Sequence, residues 1–147
     1  MLAPPGAAHA GRMNDTPYPH QRSRADRARS HNQELGASGE ALAAAYLEGL
    51  GYHLLDRNWR SGREGELDLV ARDGDQIVAV EVKTRSGVAA GHPLEAITAG
   101  KARRLRRLLL TWVRERHPRA RALRIDAVGI VLRPGREPSI HHVQGIA

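Results

Sequence analysis

A pair of strand-like segments joined by a tight turn constrains the fold more than any other part of the sequence. Residues 66–72 and 76–85 both have the apolar, partly alternating character of strands, and Asp73-Gly74 lies between them. Alternation with period two is typical of a strand with one buried face, and Asp-Gly between two such runs favours a two-residue hairpin turn. The sequence therefore predicts two neighbouring antiparallel strands.

The remaining segments add helices and strands around this hairpin. Apolar residues recur at helical spacing in residues 33–50 and again in 98–116, and Gly51 and Pro118 end the two patterns. Further strand-like segments are residues 53–60, 123–132 and 139–143. This order predicts a mixed central sheet flanked by helices. The class is α/β or α+β, of which we favour α/β; the pattern does not assign each helix to a face of the sheet.

The N-terminal residues differ in character from the rest of the chain. Residues 1–30 combine prolines and arginines with no apolar periodicity, so they bury too little surface to offset the entropy of ordering. We predict a disordered basic tail over residues 1–30 and one compact domain over residues 31–147. No membrane-spanning run and no secretory signal are evident, and cysteine is absent. These features predict a cytoplasmic protein with no membrane segment.

The charge of the chain points to an anionic partner. The net charge is +7, and basic residues crowd into residues 101–124, where Glu115 is the only acid. Such a field favours nucleic acid or an anionic membrane surface. The alternative is an arginine-rich composition spread over every solvated face. The concentration of basic residues in one segment argues against this alternative. The candidate nucleic-acid-binding residues are Lys101, Arg103, Arg107, Arg60 and Arg85.

Two carboxylates and a lysine fall on one face of the predicted hairpin. Because side chains alternate between the faces of a strand, Asp68 takes one face of its strand, and Glu81 and Lys83 share one face of the next. A turn at Asp73-Gly74 would place Asp68 diagonally from Glu81, and a turn one residue later would place them directly opposite. In either register the two carboxylates share a face, whereas an odd-length loop without a bulge would separate them.

Two carboxylates at this spacing repel each other unless a cation compensates them. Hard oxygen ligands suit Mg²⁺ or Mn²⁺, and such an ion can activate a water and stabilise charge on a phosphate. Lys83 could orient the attacking water. The alternative is that Glu81 and Lys83 merely occupy the solvated face of a strand, which leaves Asp68 unexplained. Lys83 and Lys101 are the only lysines in an arginine-rich chain, which favours a specific need for an ammonium group there.

The two strand motifs resemble the UPF0102 (YraN) family. The residues that carry the resemblance are Gly65-Glu66-Leu67-Asp68-Leu69-Val70 and Val80-Glu81-Val82-Lys83-Thr84-Arg85, with Gly36-x-x-Gly39-Glu40-x-x-Ala43, Asn58-Trp59-Arg60, Pro93-Leu94-Glu95-Ala96-Ile97, Lys101 and Arg124-Ile125-Asp126-Ala127-Val128. The similarity excludes the N-terminal tail. That family in turn resembles the PD-(D/E)XK restriction-endonuclease-like nucleases and the archaeal Holliday-junction resolvases.

The resemblance implies a mixed-sheet core with a helix on each side and metal chemistry based on two carboxylates. It assigns Asp68 and Glu81 as metal-binding, catalytic acids and Lys83 as the catalytic lysine. Glu40 corresponds to a further metal-binding, catalytic acid from the first helix, although the helix pattern alone would make it an exposed glutamate. Leu67 stands where the superfamily has proline. The implied cofactor is Mg²⁺ or Mn²⁺.

The leading functional hypothesis is a metal-dependent endonuclease that selects DNA by structure, because arginine contacts to the backbone carry no sequence information. A non-catalytic nucleic-acid-binding protein on the same scaffold is the alternative, and a basic partner or scaffold protein is a third. A resolvase-like role would favour a two-fold homodimer, because two symmetric cuts need two active sites. Trp59 and Trp112 are predicted to pack in the core rather than stack on bases, and His141-His142 to lie on the surface rather than bind zinc.

Overall fold

The computed structural model describes Leu2, residues 23–87 and residues 91–146. Most of the segment predicted to be a disordered tail therefore lies outside the described residues. The end of that segment is helical, because the first helix begins at Arg24 rather than at residue 33. Ser23 and Asp26 form a capping box there: the Asp26 N–H donates to Ser23 Oγ at 3.0 Å, and the Ser23 N–H donates to Asp26 Oδ2 at 3.2 Å.

Two long helices and five strands make up the fold. In chain order they are α1 (Arg24–Gly49), β1 (His53–Arg60), β2 (Glu66–Asp73), β3 (Gln76–Ser86), a short 3-10 helix (Pro93–Ala96), α2 (Ala99–Arg116), β4 (Ala122–Leu132) and β5 (Ser139–Val143). Apart from the start of α1, the long elements begin and end within one residue of the predicted bounds. Over the described part of the chain, no helix has the length and apolar character needed to cross a membrane.

The five strands form one mixed sheet in the order β1-β2-β3-β4-β5. All neighbours are antiparallel except β3 and β4, which run parallel and are connected through α2. Helix α1 covers one face, where Leu47 belongs to the same buried cluster as Val80. Helix α2 covers the other face, where Leu109 shares a buried cluster with Ile77. The predicted α/β fold with a mixed sheet is confirmed, and its arrangement is consistent with a restriction-endonuclease-like sheet.

The turn between β2 and β3 lies one residue later than the favoured prediction. Asp73 pairs with Gln76, so Gly74-Asp75 forms the turn, and the expectation of a turn at Asp73-Gly74 is wrong. Gly74 has a φ of +60°, a left-handed conformation that glycine adopts without the steric cost of a Cβ atom. Because the loop still has two residues, the predicted sharing of one face by the two carboxylates is unaffected.

Both tryptophans lie in the core on the α2 face of the sheet, as predicted. Trp59 and Trp112 are buried in the cluster beneath α2. The Trp112 Nε1–H donates to Asp56 Oδ2 at 3.0 Å, so the only polar group of this ring has a hydrogen-bond partner on β1. The rings therefore contribute to stability, and neither is placed to stack on a base.

A buried polar network joins β4 to β5. Asp126 is fully buried and accepts hydrogen bonds from Arg124 Nε at 2.8 Å and from the Gly145 N–H at 3.1 Å. His142 Nε2 lies 2.8 Å from Asp126 Oδ2, and the His142 side chain is only 5% exposed. The prediction that both adjacent histidines lie on the surface is therefore wrong for His142. Successive strand residues point to opposite faces, which leaves His141 exposed.

Helix α1 approaches β3 closely at one glycine. A Cβ atom at Gly39 would overlap the Thr84 side chain, whereas a Cβ atom at Gly36, one turn earlier, would meet nothing within 4 Å. The absence of a side chain at Gly39 therefore sets the distance between α1 and the carboxyl-terminal end of β3. That distance in turn places Glu40, the next residue of α1, beside the sheet.

Gly39→Ala is expected to lower the free energy of unfolding by about 1–3 kcal/mol, because the added methyl must displace Thr84 or the helix. The matched control is Gly36→Ala, which is expected to be neutral or to stabilise by up to about 1 kcal/mol through helix propensity alone. Urea denaturation measures both variants. Equal stability of the two would show that the helix does not depend on a close approach at residue 39.

Candidate functional site

Asp68 and Glu81 lie side by side on β2 and β3. Leu69 pairs with Val80 at the end of the β2–β3 ladder, and Asp68 and Glu81 are the next residues beyond this pair on the two strands. The Val82 N–H donates to Asp68 Oδ2 at 2.9 Å, which holds this carboxylate against β3. Both acids line a pocket of about 330 Å³ on the α2 face, which we call the carboxylate pocket. The two side chains therefore converge as the hairpin parity predicted.

Glu81 is the most buried acid of the carboxylate pocket and contacts both lysines of the chain. It is 5% exposed. Lys101 Nζ lies 2.8 Å from Glu81 Oε1, and Lys83 Nζ lies 3.5 Å from the same oxygen. Lys101 was predicted to contact nucleic acid, whereas its ammonium group forms an ion pair inside the pocket. The two lysines thus meet at one carboxylate oxygen.

Glu40 reaches the same pocket from α1 and is connected to Glu66 by Asn58. When the Asn58 amide is oriented so that its nitrogen faces the two acids, it donates to Glu66 Oε1 and to Glu40 Oε2, each at 2.9 Å. Asn58 has a φ of +49°, in the left-handed region where asparagine is enriched. Its side chain therefore fixes two further carboxylates on the wall of the carboxylate pocket.

Burial and crowding alter the protonation of these groups. Burial, together with repulsion from Glu81, raises the pKa of Asp68 to about 7. Burial also raises the pKa of Glu40. The pKa of Lys83 is lowered by burial and by the adjacent Lys101. Burial also acts to lower the pKa of Lys101, but the hydrogen bonds to its neighbours and the charges of Glu81 and Asp68 together raise it. Four carboxylates line this pocket against three cationic side chains, those of Lys83, Lys101 and Arg104, so the acids are in excess by one and an additional cation is favoured.

The donor set fits a hard divalent cation, although it is not a closed cage. Within residues 23–87 and 91–146, no three histidine, aspartate or glutamate side chains are grouped closely enough to enclose an ion. Mg²⁺ usually takes only one or two carboxylates and keeps several waters, so a pair of acids is sufficient. Asp68 and Glu81 supply that pair. The ion pair with Lys101 indicates that Glu81 Oε1 accommodates a cationic group.

An arginine-lined groove along α2 continues from the carboxylate pocket. This α2 groove has a volume of about 570 Å³ and is lined by Arg104, Arg107 and Arg114 among others. Arg104 also lines the carboxylate pocket, and its Nε and Nη2 donate to the Glu64 carbonyl oxygen at 3.1 and 2.9 Å. A chain of cationic groups therefore leads outward from the carboxylates.

The other predicted nucleic-acid-binding arginines occupy different positions. Arg60 pairs with Glu66 at 3.0 Å on the side of the carboxylate pocket. Arg103 is exposed on α2, outside the α2 groove. Arg85 lines a separate groove between α1 and the carboxyl-terminal end of β3, which we call the Arg85 groove. The structure thus brings Arg107 and Arg60 close to the candidate site and leaves Arg103 on the open surface.

Asn58 and Arg104 were not predicted as site residues. Arg104 follows Lys101 by three positions on α2, and this spacing places the two side chains on one side of a helix, so the pattern could have found it. Asn58 had no comparable signal. The register of β1 shifts between Leu54 and Asp56, and this irregularity removes the alternation that would indicate which way Asn58 points.

The fold and the pocket together define an α/β protein in which a mixed sheet carries a cluster of carboxylates and lysines beneath its second helix. Residues 39–130 match the family described as Uncharacterised protein family UPF0102. The chain therefore belongs to the UPF0102 family, which confirms the family predicted from the strand motifs. The matched region includes Glu40, Asp68, Glu81, Lys83 and Lys101.

Individual relatives agree with this assignment. The chain is 53% identical over 113 residues to a UPF0102 protein of Leifsonia xyli, an alignment that covers 77% of this chain and 95% of that protein. It is 56% identical over 115 residues to a UPF0102 protein of a Nocardioides species, covering 78% and 91% of the two chains. A UPF0102 protein of Streptomyces coelicolor is 50% identical over 115 residues, covering 77% and 88%.

Proposed function

We propose that this protein is a metal-dependent endonuclease that hydrolyses phosphodiester bonds in DNA. The observation that carries the proposal is the convergence of Asp68, Glu81 and both lysines in one pocket that opens onto an arginine-lined groove. Phosphodiester hydrolysis needs charged groups around the reacting phosphate, and a nucleic acid needs cations along its backbone. The carboxylate pocket and the α2 groove meet these two needs in adjacent places.

Asp68 and Glu81 are the groups that would hold the metal ion, with Glu40 beside them. When bound, Mg²⁺ or Mn²⁺ supplies Lewis-acid stabilisation of charge on the phosphate and acidifies a water. Asp68 is suited to this role because the Val82 N–H fixes one of its oxygens. Asn58 restrains Glu40 and so limits how far this acid can move.

The two lysines take different parts in the proposed reaction. The lowered pKa of Lys83 means that its Nζ gives up a proton more readily than an exposed lysine, which suits a group that orients and deprotonates the attacking water. Lys101 stays charged because its hydrogen bond to Glu81 raises its pKa. It therefore supplies a fixed positive charge next to the phosphate.

A non-catalytic nucleic-acid-binding protein is the second candidate function. One observation favours it: Lys101 Nζ lies 2.8 Å from Glu81 Oε1 and so occupies an oxygen that metal binding would require. In such a protein the lysine would replace the metal as the permanent counter-charge. The α2 groove would then bind the nucleic-acid backbone without any cleavage.

The test is to incubate the purified protein with duplex, flap and four-way DNA and with matched RNA, in Mg²⁺, in Mn²⁺ and in chelator. We expect cleavage of at least one structured DNA, loss of cleavage in chelator and retention of binding there. A homodimer would cut a four-way junction in two symmetric strands. Binding without cleavage in either metal would establish the non-catalytic alternative, and the absence of binding would exclude both functions.

A further inference from the structure

The Arg85 groove adjoins the carboxylate pocket but has a different composition. It has a volume of about 490 Å³ and lies between the first half of α1 and the carboxyl-terminal end of β3. Asn32, Gly36, Arg85 and Ser86 contribute to its wall. Glu40 is the acid on this wall, and it stands at the boundary with the carboxylate pocket, whose lining it also shares. The groove therefore offers cationic and neutral donors along most of its length.

Arg85 has a donor without a partner in this groove. Its Nε is buried and makes no hydrogen bond within the described part of the chain. A buried donor that stays unpaired costs about 1–3 kcal/mol, so an acceptor such as an ordered water, an ion or a ligand would stabilise it. The guanidinium fork matches the oxygen geometry of a phosphate and can donate two parallel hydrogen bonds to it. A phosphate bound by Arg85 in this groove would supply the acceptor that its Nε lacks.

The carboxylate pocket lies between this groove and the α2 groove. It shares Arg104 with the α2 groove, and it shares Glu40 and Lys83 with the Arg85 groove. A strand that crosses the carboxylates would thus have a cationic groove on each side. An enzyme that acts on a strand end needs only one of these grooves, whereas a cut within a continuous strand benefits from both.

We propose that the Arg85 groove is a phosphate-binding subsite for the continuation of the nucleic-acid strand beyond the carboxylate pocket. The inference rests on the proposed function and deepens it, because a strand held on both sides of the pocket is cut internally. The Arg85 guanidinium donates to a backbone phosphate there. Gly36 borders open space on the wall of this groove, since a Cβ at Gly36 meets nothing within 4 Å.

The test measures DNA binding by fluorescence anisotropy in chelator, so that no cleavage contributes. Arg85→Gln removes the guanidinium and is expected to weaken binding about tenfold. Gly36→Glu places a negative charge in the groove, and Gly36→Gln is its matched neutral control of the same size. The Glu variant should bind at least about fivefold more weakly than the Gln variant. Losing one phosphate contact should also reduce the slope of log affinity against log salt by about 0.7–0.9.

The position of the contact is tested with strands that carry one uncharged methylphosphonate linkage, moved along the sequence. A methylphosphonate at one position should weaken binding of the unsubstituted protein. The same linkage should not weaken binding of Arg85→Gln further, because that variant has already lost the contact with this phosphate. Arg107→Gln in the α2 groove should respond at a different position. Circular dichroism verifies that each variant is folded. If Arg85→Gln does not fold, the comparison of Gly36→Glu with Gly36→Gln still tests the subsite.

The outcomes distinguish failure of the phosphate-binding subsite from failure of the proposed function. If Arg107→Gln weakens binding while the two Gly36 variants bind equally and Arg85→Gln binds as the unsubstituted protein does, the subsite is refuted and the proposed function stands. If the unsubstituted protein does not bind nucleic acid at all, the proposed function itself fails. A shared methylphosphonate position for Arg85 and Arg107 would also refute a strand that spans both grooves.

Discussion

Glu81→Gln is expected to reduce metal-dependent DNA cleavage by about 10²- to 10³-fold or more while leaving DNA binding intact or slightly tighter. The substitution preserves the shape of the side chain but removes the proposed metal ligand and the charged partner of both lysines. Removal of a negative charge also reduces repulsion of the phosphate, which is why binding should not fall. Single-turnover cleavage rates in Mg²⁺ and anisotropy in chelator measure the two effects separately.

The matched control for this substitution is Glu48→Gln. Glu48 is exposed near the carboxyl-terminal end of α1 and lies outside the lining of the carboxylate pocket, so its loss should leave cleavage unchanged. A Glu81→Gln protein that cleaves at the original rate would refute the assignment of Glu81 as a metal ligand. A variant that loses binding together with cleavage would show instead that Glu81 organises the lysines that contact DNA.

Asp126→Asn is expected to lower the free energy of unfolding by about 3–5 kcal/mol, because it removes one partner of a buried ion pair. Asp126 is fully buried, and Arg124 donates to it through Nε at 2.8 Å. The amide leaves the Arg124 guanidinium with Asp73 as its charged partner, at 2.9 Å, and the amide NH₂ group would face the donors whose hydrogen bonds the carboxylate accepts. Urea denaturation at neutral pH measures the loss. The control is Asp75→Asn, whose exposed ion pair with Arg121 should contribute about 0–1 kcal/mol.

The contribution of Asp126 should also depend on pH. Burial alone would raise the pKa of Asp126, but hydrogen bonds from Arg124 and His142 outweigh burial and hold it below the ordinary value of 3.8. Since the folded-state pKa is the lower one, the stabilisation is complete above the unfolded-state value and disappears as the pH falls through the folded-state value. The stability difference between Asp126→Asn and the unsubstituted protein should therefore vanish in strong acid. A constant difference across this range would contradict the ion pair.

The sheet was predictable because the signals for its strands and for the turn between β2 and β3 lie within short segments of the sequence. Apolar segments and a two-residue turn located β2 and β3, and the period of two then placed Asp68 and Glu81 on one face without any knowledge of the tertiary structure. The turn residue itself was missed by one position because Asp-Gly and Gly-Asp are both acceptable at residues 73–75. The prediction that Asp68 and Glu81 share one face was unaffected by this error because both turns have the same length.

The features that were missed depend on contacts between distant residues or on exposed segments. The first turns of α1 are exposed, so no apolar pattern indicates them, and only the Ser23-Asp26 capping box marks the start. His142 is buried because Asp126 on the neighbouring strand provides its partner, which its own sequence neighbours do not reveal. Lys101 reaches Glu81 only after α2 packs on the sheet.

The parallel pairing of β3 with β4 has a consequence for the order of folding events. The hairpin of β2 and β3 closes through a two-residue loop, a process of about 1–10 μs. The paired residues of β3 and β4 lie 46 positions apart, so this pairing must wait for a long loop to close. We therefore expect Asp68 and Glu81 to come together before α2 delivers Lys101. Their mutual repulsion opposes the early hairpin, so refolding should accelerate in mild acid or with added divalent cations, while unfolding rates change less.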